Sequence, residues 1–136
     1  MRFLYCLIHS FPLRLVAIGD EPRERYNFSH KRLTYTGWIP QDKVLNLYNH
    51  SSITVAPSLW EEPFGRSSLE AGSRGNAVII SKRGGLPETI SEPIFLKKVE
   101  TSEIYSEIEK LILDKKLLKK NQLNNFNNPL HLISNN

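Results

Sequence analysis

The sequence predicts an α/β domain: a parallel sheet with helices packed on both faces. Three observations carry this reading. Short apolar runs rich in Val and Ile alternate along the chain with segments of helical spacing. The runs lack a polar face, as strands covered on both sides do. At 136 residues and 40% hydrophobic, the chain suits one domain, and a chain of that size buries roughly two-thirds of its unfolded surface.

The elements follow in order. Phe3 to Ser10 reads as a short apolar helix, and Arg14 to Ile18 as a buried strand ended by Gly19-Asp20. Pro22 to Phe28 is charged and reads as a short helix or a loop. Leu33 to Thr36 alternates like a strand and closes on Gly37. Val44, Leu45, Leu47 and Tyr48 give Gln41 to His50 a helical spacing, and Ser52 to Ala56 is another short strand. Pro57 to Gly65 is a loop. Ser67 to Arg74 is a helix stopped by Gly75, and Ala77 to Ile80 is a central strand. Gly84-Gly85-Leu86-Pro87 makes a turn, with a short helix from Pro87. From Thr101 onward Ile104, Tyr105, Ile108, Leu111 and Ile112, then Leu117 and Leu118, mark an amphipathic helix broken near Asp114. The last 16 residues hold seven asparagines and read as a frayed tail. The expected organisation is a domain over residues 1–115, followed by a helix and Asn-rich tail over 116–136.

Composition removes several function classes. The single cysteine, Cys6, excludes an internal disulfide and points to a reducing, cytoplasmic setting; its apolar flanks predict a buried thiol. The apolar run Phe3 to Ile8 is too short for a signal peptide and far below the ~20 residues of a membrane span. The charge of +4 is modestly basic, and the lysines cluster late, from Lys97 to Lys120, as a solvated helix face. Because no aromatics interleave with those lysines, nucleic acid is not an expected partner. The four histidines are scattered and there is no Asp-x-Asp, so no metal is expected.

Ligands of open parallel sheets bind outside the carboxyl ends of the strands. A single sheet of at least four strands would therefore gather Gly19, Gly37, the Trp60–Gly65 loop and Gly84-Gly85 on one rim. The sharpest signal there is Glu62-Pro63-Phe64-Gly65-Arg66-Ser67-Ser68-Leu69-Glu70. Gly65 stands where a helix begins, and free N–H groups at a helix N-terminus bind anions, which a glycine lets approach closely. Glu62 before that point and Glu70 after it can accept hydrogen bonds from sugar hydroxyls. For Glu70 a second reading stays open, because Ser67-x-x-Glu70 is also a capping box.

Pro57-Ser58, Glu62-x7-Glu70, Ala71, Gly75 and Gly84-Gly85-Leu86-Pro87-Glu88, in this order, resemble glycosyltransferase family 4. Leu15 to Asp20 and Thr36-Gly37-Trp38-Ile39-Pro40 are similar to its strand ends, so the resemblance covers about Leu13 to Ile90. It implies the Rossmann-like, donor-binding half of a GT-B fold, in a retaining enzyme moving a hexosyl group from a nucleotide sugar to a glycan or lipid-linked acceptor. By the same resemblance Glu62 is the catalytic glutamate at the transferred sugar. Phe64, Gly65 and Arg66 approach the sugar and diphosphate, Glu70 takes the ribose hydroxyls, and Trp38 and Ile39 lie near the base. Gly84 and Gly85 supply a second close-approach backbone. The donor is a substrate, and no cofactor is implied.

Departures accompany the matches. No Gly-Arg…Lys-Gly loop precedes Phe3, the usual first strand is missing, Gly72 stands where methionine is common, and Ala77 where proline is. The expectation is a fragment or split-gene product that needs an N-terminal GT-B domain, fused or in trans, with contact to the inner face of a membrane left open. The alternative is a non-catalytic nucleotide-sugar-binding fragment or a partner completing a split enzyme.

Overall fold

A computed structural model describes residues 2–18, 29–56, 66–81 and 93–127. The element order is α1 (Arg2–Ser10), β1 (Leu15–Ile18), β2 (Leu33–Gly37), α2 (Gln41–Asn49), β3 (Ile53–Ala56), α3 (Arg66–Ser73), β4 (Ala77–Ser81), β5 (Ile94–Leu96), α4 (Thr101–Leu113) and α5 (Lys115–Asn127). Two compact units divide at Val44/Leu45. No described helix is long and apolar enough to cross a membrane.

In the first unit β1 pairs in parallel with β2, Leu15 opposite Leu33, with a register shift between Ala17 and Ile18. Ile8 and Leu33 form its buried core and Leu15 packs against them. The carboxyl end of α1 is closed by Arg32. Its Nη1 donates to the carbonyls of Phe11 and Leu13 at 2.7 and 3.2 Å, and its Nη2 to that of Ile8 at 2.6 Å. A guanidinium thus supplies the donors that the last helical carbonyls lack. Cys6, expected to be buried, is exposed. The helix turns its Leu7–Ile8 side inward, and Cys6 falls outside that stripe although its sequence neighbours are apolar.

In the second unit β3, β4 and β5 form a parallel sheet with β4 in the centre. All five residues of β4 are buried. Successive strand side chains point to opposite faces, so both faces of β4 are covered. α3 and α5 pack against β4, and α4 against β5. The described strands therefore lie in a two-stranded and a three-stranded parallel sheet, where one sheet of four or more was expected. β5 was not foreseen: three residues, Ile94–Leu96, carry too little pattern to register as a strand alone.

Helix ends are set by local chemistry. Gly75 adopts φ +83. Its N–H reaches the Gly72 carbonyl at 3.0 Å, and the Asn76 N–H reaches that of Ala71 at 3.1 Å, the paired bonds of a Schellman end. Asp114 ends α4 and begins α5, its Oδ1 accepting from the Lys116 and Leu117 amides at 3.1 Å each. Glu103 accepts from the amides of Lys97 and Lys98 at 2.7 and 2.6 Å, bonds that hold its carboxyl below the ordinary value, the Lys97 bond contributing most. The lysines from Lys97 to Lys120 are exposed, as the pattern predicted.

Of the Asn-rich stretch expected to fray, residues 121–127 are helical, and residues 128–136 lie outside the described residues. α5 runs on to Asn127, and Asn125 is fully buried. It is held because it completes the sheet. The Ala77 amide turns toward β3, bonding the Ser52 carbonyl at 2.9 Å, so the next amide along β4 faces the other way. On that side β5 begins pairing only at Ile79, and the Asn125 Oδ1 accepts from Val78 at 3.0 Å.

Candidate functional site

β3 carries the chain to the carboxyl end of the three-stranded sheet at Ala56, and α3 begins at Arg66. The segment between them holds Glu62, Phe64 and Gly65, and the segment after β4 holds Gly84 and Gly85. All five lie outside the described residues, as does the side chain of Arg66. Their expected gathering on one rim is thus outside them too.

Glu70 is described. It is the fifth residue of α3, about 6 Å along the axis from the helix start at 1.5 Å per residue. It is half-buried, with Ser68 and Ala71 buried beside it. The capping-box reading fails on this placement. A capping box needs its serine outside the helix and its glutamate at the third helical position. Ser67 is instead the second helical residue and Glu70 the fifth.

Glu70 acts electrostatically on Tyr48, from the carboxyl half of α2. Tyr48 is 7% exposed. Burial pushes its phenol above the ordinary value, the Glu70 carboxylate pushes the same way, and a hydrogen bond with the Ser67 side chain works against both. The backbone of Tyr48 is fixed as well. Asn76, fully buried at the head of β4, donates from Nδ2 to the Tyr48 carbonyl at 2.8 Å, and its Oδ1 accepts from Thr54 Oγ1 at 3.0 Å. One carboxamide thus ties the end of α2 to β3 and β4. Tyr48 of α2 with Ser67 and Glu70 of α3 supplies a phenol, a hydroxyl and a carboxylate, the phenol interacting with the other two. Such a group can accept from, and donate to, a polyhydroxylated ligand.

Sequence reasoning placed Tyr48 only as an apolar helix position. A Tyr whose hydroxyl works beside a carboxylate has the same spacing as one that merely fills a core. Asn76 carried no signal beyond its place after Gly75.

Trp38 and Ile39 lie in the first unit, immediately beyond the carboxyl end of β2. Gly37 there has φ +62, a conformation glycine adopts without strain. Trp38 is 80% exposed, an unusual state for so large a side chain, and Ile39 is half-buried.

Comparison with known proteins gives a consistent picture. The family described as "Glycosyl transferases group 1" matches residues 12–127. The serotype-specific mannosyltransferase WbdA of Escherichia coli is 35% identical over 92 residues, which are 67% of this chain and 11% of WbdA. The C-terminal domain of LpcC, a group 1 glycosyl transferase of Francisella tularensis, superposes with a TM-score of 0.63 at 29% identity, over 71% of this chain and 51% of that one. HepE of Anabaena, solved with UDP and glucose, gives a TM-score of 0.63 at 23% identity over 71% of this chain and 26% of its own, a likeness of fold. The chain spans about a tenth of the length of WbdA and about a quarter of that of HepE.

Proposed function

The chain belongs to the glycosyl transferases group 1 family, with the Rossmann-like α/β architecture of one half of a GT-B fold, and on that premise we propose that it is the donor-binding domain of a retaining glycosyltransferase. The donor is a nucleotide sugar, from which a hexosyl group passes to a glycan or lipid-linked acceptor. The observation that carries the reading is Glu70: a half-buried carboxylate in the second turn of the helix that follows β3, beside two hydroxyl-bearing side chains. A carboxylate so held can take two ribose hydroxyls while the helix start takes the diphosphate.

Glu62 is assigned to the transferred sugar. Phe64, Gly65 and Arg66 are assigned to the sugar and diphosphate, with Gly84 and Gly85 as the second close-approach backbone. Trp38 and Ile39 are assigned to the base, for which the exposed indole offers a stacking surface. The diphosphate leaves with negative charge developing on it, and the amides at the start of α3 are the groups that can stabilise that charge. No metal or other cofactor takes part. The cytoplasmic face of a membrane is the proposed working place, consistent with the lone thiol and with a lipid-linked acceptor.

Titration calorimetry of the 136-residue chain with UDP, GDP and ADP and their sugars tests the reading. Binding of at least one is expected; no heat with any at millimolar concentration would refute it. A GT-B enzyme holds its acceptor on the other domain, and positioning two reactants contributes ~7–11 kcal/mol to barrier lowering. The chain alone is therefore expected to transfer no sugar, and addition of a matching N-terminal domain, fused or in trans, to bring transfer about. If such a complex binds donor but never turns over, the non-catalytic reading holds instead.

A further inference from the structure

α5 advances about 100° per residue, so Lys115, Lys116, Lys119, Lys120, Leu123 and Phe126 fall within about 140° of arc. All six are exposed, Leu123 by 47% and Phe126 by 53%. The opposite side of the helix faces the sheet, where Asn125 bonds Val78. This outer face carries no carboxylate. Asp114 stands before it, with Oδ1 occupied by backbone amides. Among the described residues no ion pair reaches any of the four ammonium groups.

Two features separate this face from an ordinary solvated one. Solvated helix faces mix charges of both signs, as α4 does where Lys110 Nζ meets Glu107 Oε1 at 3.1 Å. Here one sign stands alone. Moreover, Leu123 and Phe126 share this face with the lysines, so that exposed apolar surface and unpaired positive charge stand together on one side of the helix.

We propose that this face of α5 docks on an anionic lipid bilayer. The lysines reach lipid phosphates, and Leu123 and Phe126 enter the boundary between headgroups and acyl chains. Four clustered lysines on an amphipathic helix are the number at which such attraction becomes useful, each strengthening binding about five-fold. A nucleic acid fits less well: Leu123 has no role on a phosphate backbone, and one aromatic at the end of the helix makes no stacking platform. The inference gives the membrane contact proposed above a definite surface. It stands on α5 and not on the donor site.

The test is sedimentation of the full chain with vesicles of phosphatidylcholine, and with vesicles of phosphatidylcholine containing phosphatidylglycerol. Binding to the second alone is expected, weakening as salt rises. Lys115→Gln with Lys119→Gln should lower the partition coefficient about 25-fold, five-fold for each charge. Leu123→Ser with Phe126→Ser should weaken binding and leave its salt dependence unchanged. If the serine pair unfolds the chain, the glutamine pair, wholly on exposed positions, still decides. Failure to sediment with anionic vesicles, equal binding by the glutamine pair, or retention on an oligonucleotide or acidic protein without vesicle binding would each overturn the proposal. Nucleotide titration of the same preparation is independent, so loss of one reading leaves the other standing.

Discussion

The carboxamide of Asn125 accepts the amide hydrogen of Val78 at 3.0 Å across 47 residues of sequence. A helix side chain thereby stands in for a strand that has not yet begun. Asn125→Ala would leave that buried amide unpaired, at a cost of about 1–3 kcal/mol. Urea denaturation should show the midpoint fall with the slope unchanged. An unmoved midpoint would mean that water replaces the carboxamide freely.

Gly75 ends α3 at φ +83, and a Cβ there would meet nothing within 4 Å. The cost of Gly75→Ala is therefore backbone strain alone, about 1 kcal/mol. Thermal melting measures it. A change of several times that size would point to a clash that the geometry does not contain.

Glu70 is the fifth residue of α3, and Ser67 is itself helical, so the pair does not form a capping box. Glu70→Gln should leave the melting temperature nearly unchanged and weaken nucleotide binding, since hydrogen bonds to a charged group contribute roughly 1.5–3 kcal/mol. Calorimetry of the variant with whichever nucleoside diphosphate binds the parent gives the answer. Equal affinity would remove Glu70 from the site.

The phenol of Tyr48 is held above its ordinary value of 10.0, by burial first and the Glu70 carboxylate second. Below 10.0 both folded and unfolded chains keep this proton. Above it the unfolded chain loses the proton first, so the protons bound on unfolding fall and stability declines as pH rises toward the folded value. Tyr48→Phe has nothing to ionise and should show a shallower alkaline decline. Denaturant midpoints at neutral pH and above pH 10, compared between the two chains, test this. Parallel declines would show that Tyr48 does not carry it.

Much of the fold was legible in the sequence because it rests on local pattern. The apolar runs at Leu15–Ile18, Ile53–Ala56 and Ala77–Ser81 became strands, the break at Asp114 fell between α4 and α5, and Gly75 closed α3. The order of the motif around Glu70 also pointed to the family. These features depend on residue spacing, glycine's freedom at positive φ and a side-chain cap, all of which a linear chain displays.

What the tertiary structure decided are the long-range pairings. Arg32 closes α1, Asn76 binds the Tyr48 carbonyl, and Asn125 completes β4, each joining residues at least 20 apart. The same contacts turned an Asn-rich segment into an ordered helix, and helix rotation put Cys6 outside. They also set Tyr48 beside Glu70. No local pattern encodes these outcomes, because a polar side chain is buried only where folding brings it a partner, and that partner is chosen by the packing of the whole.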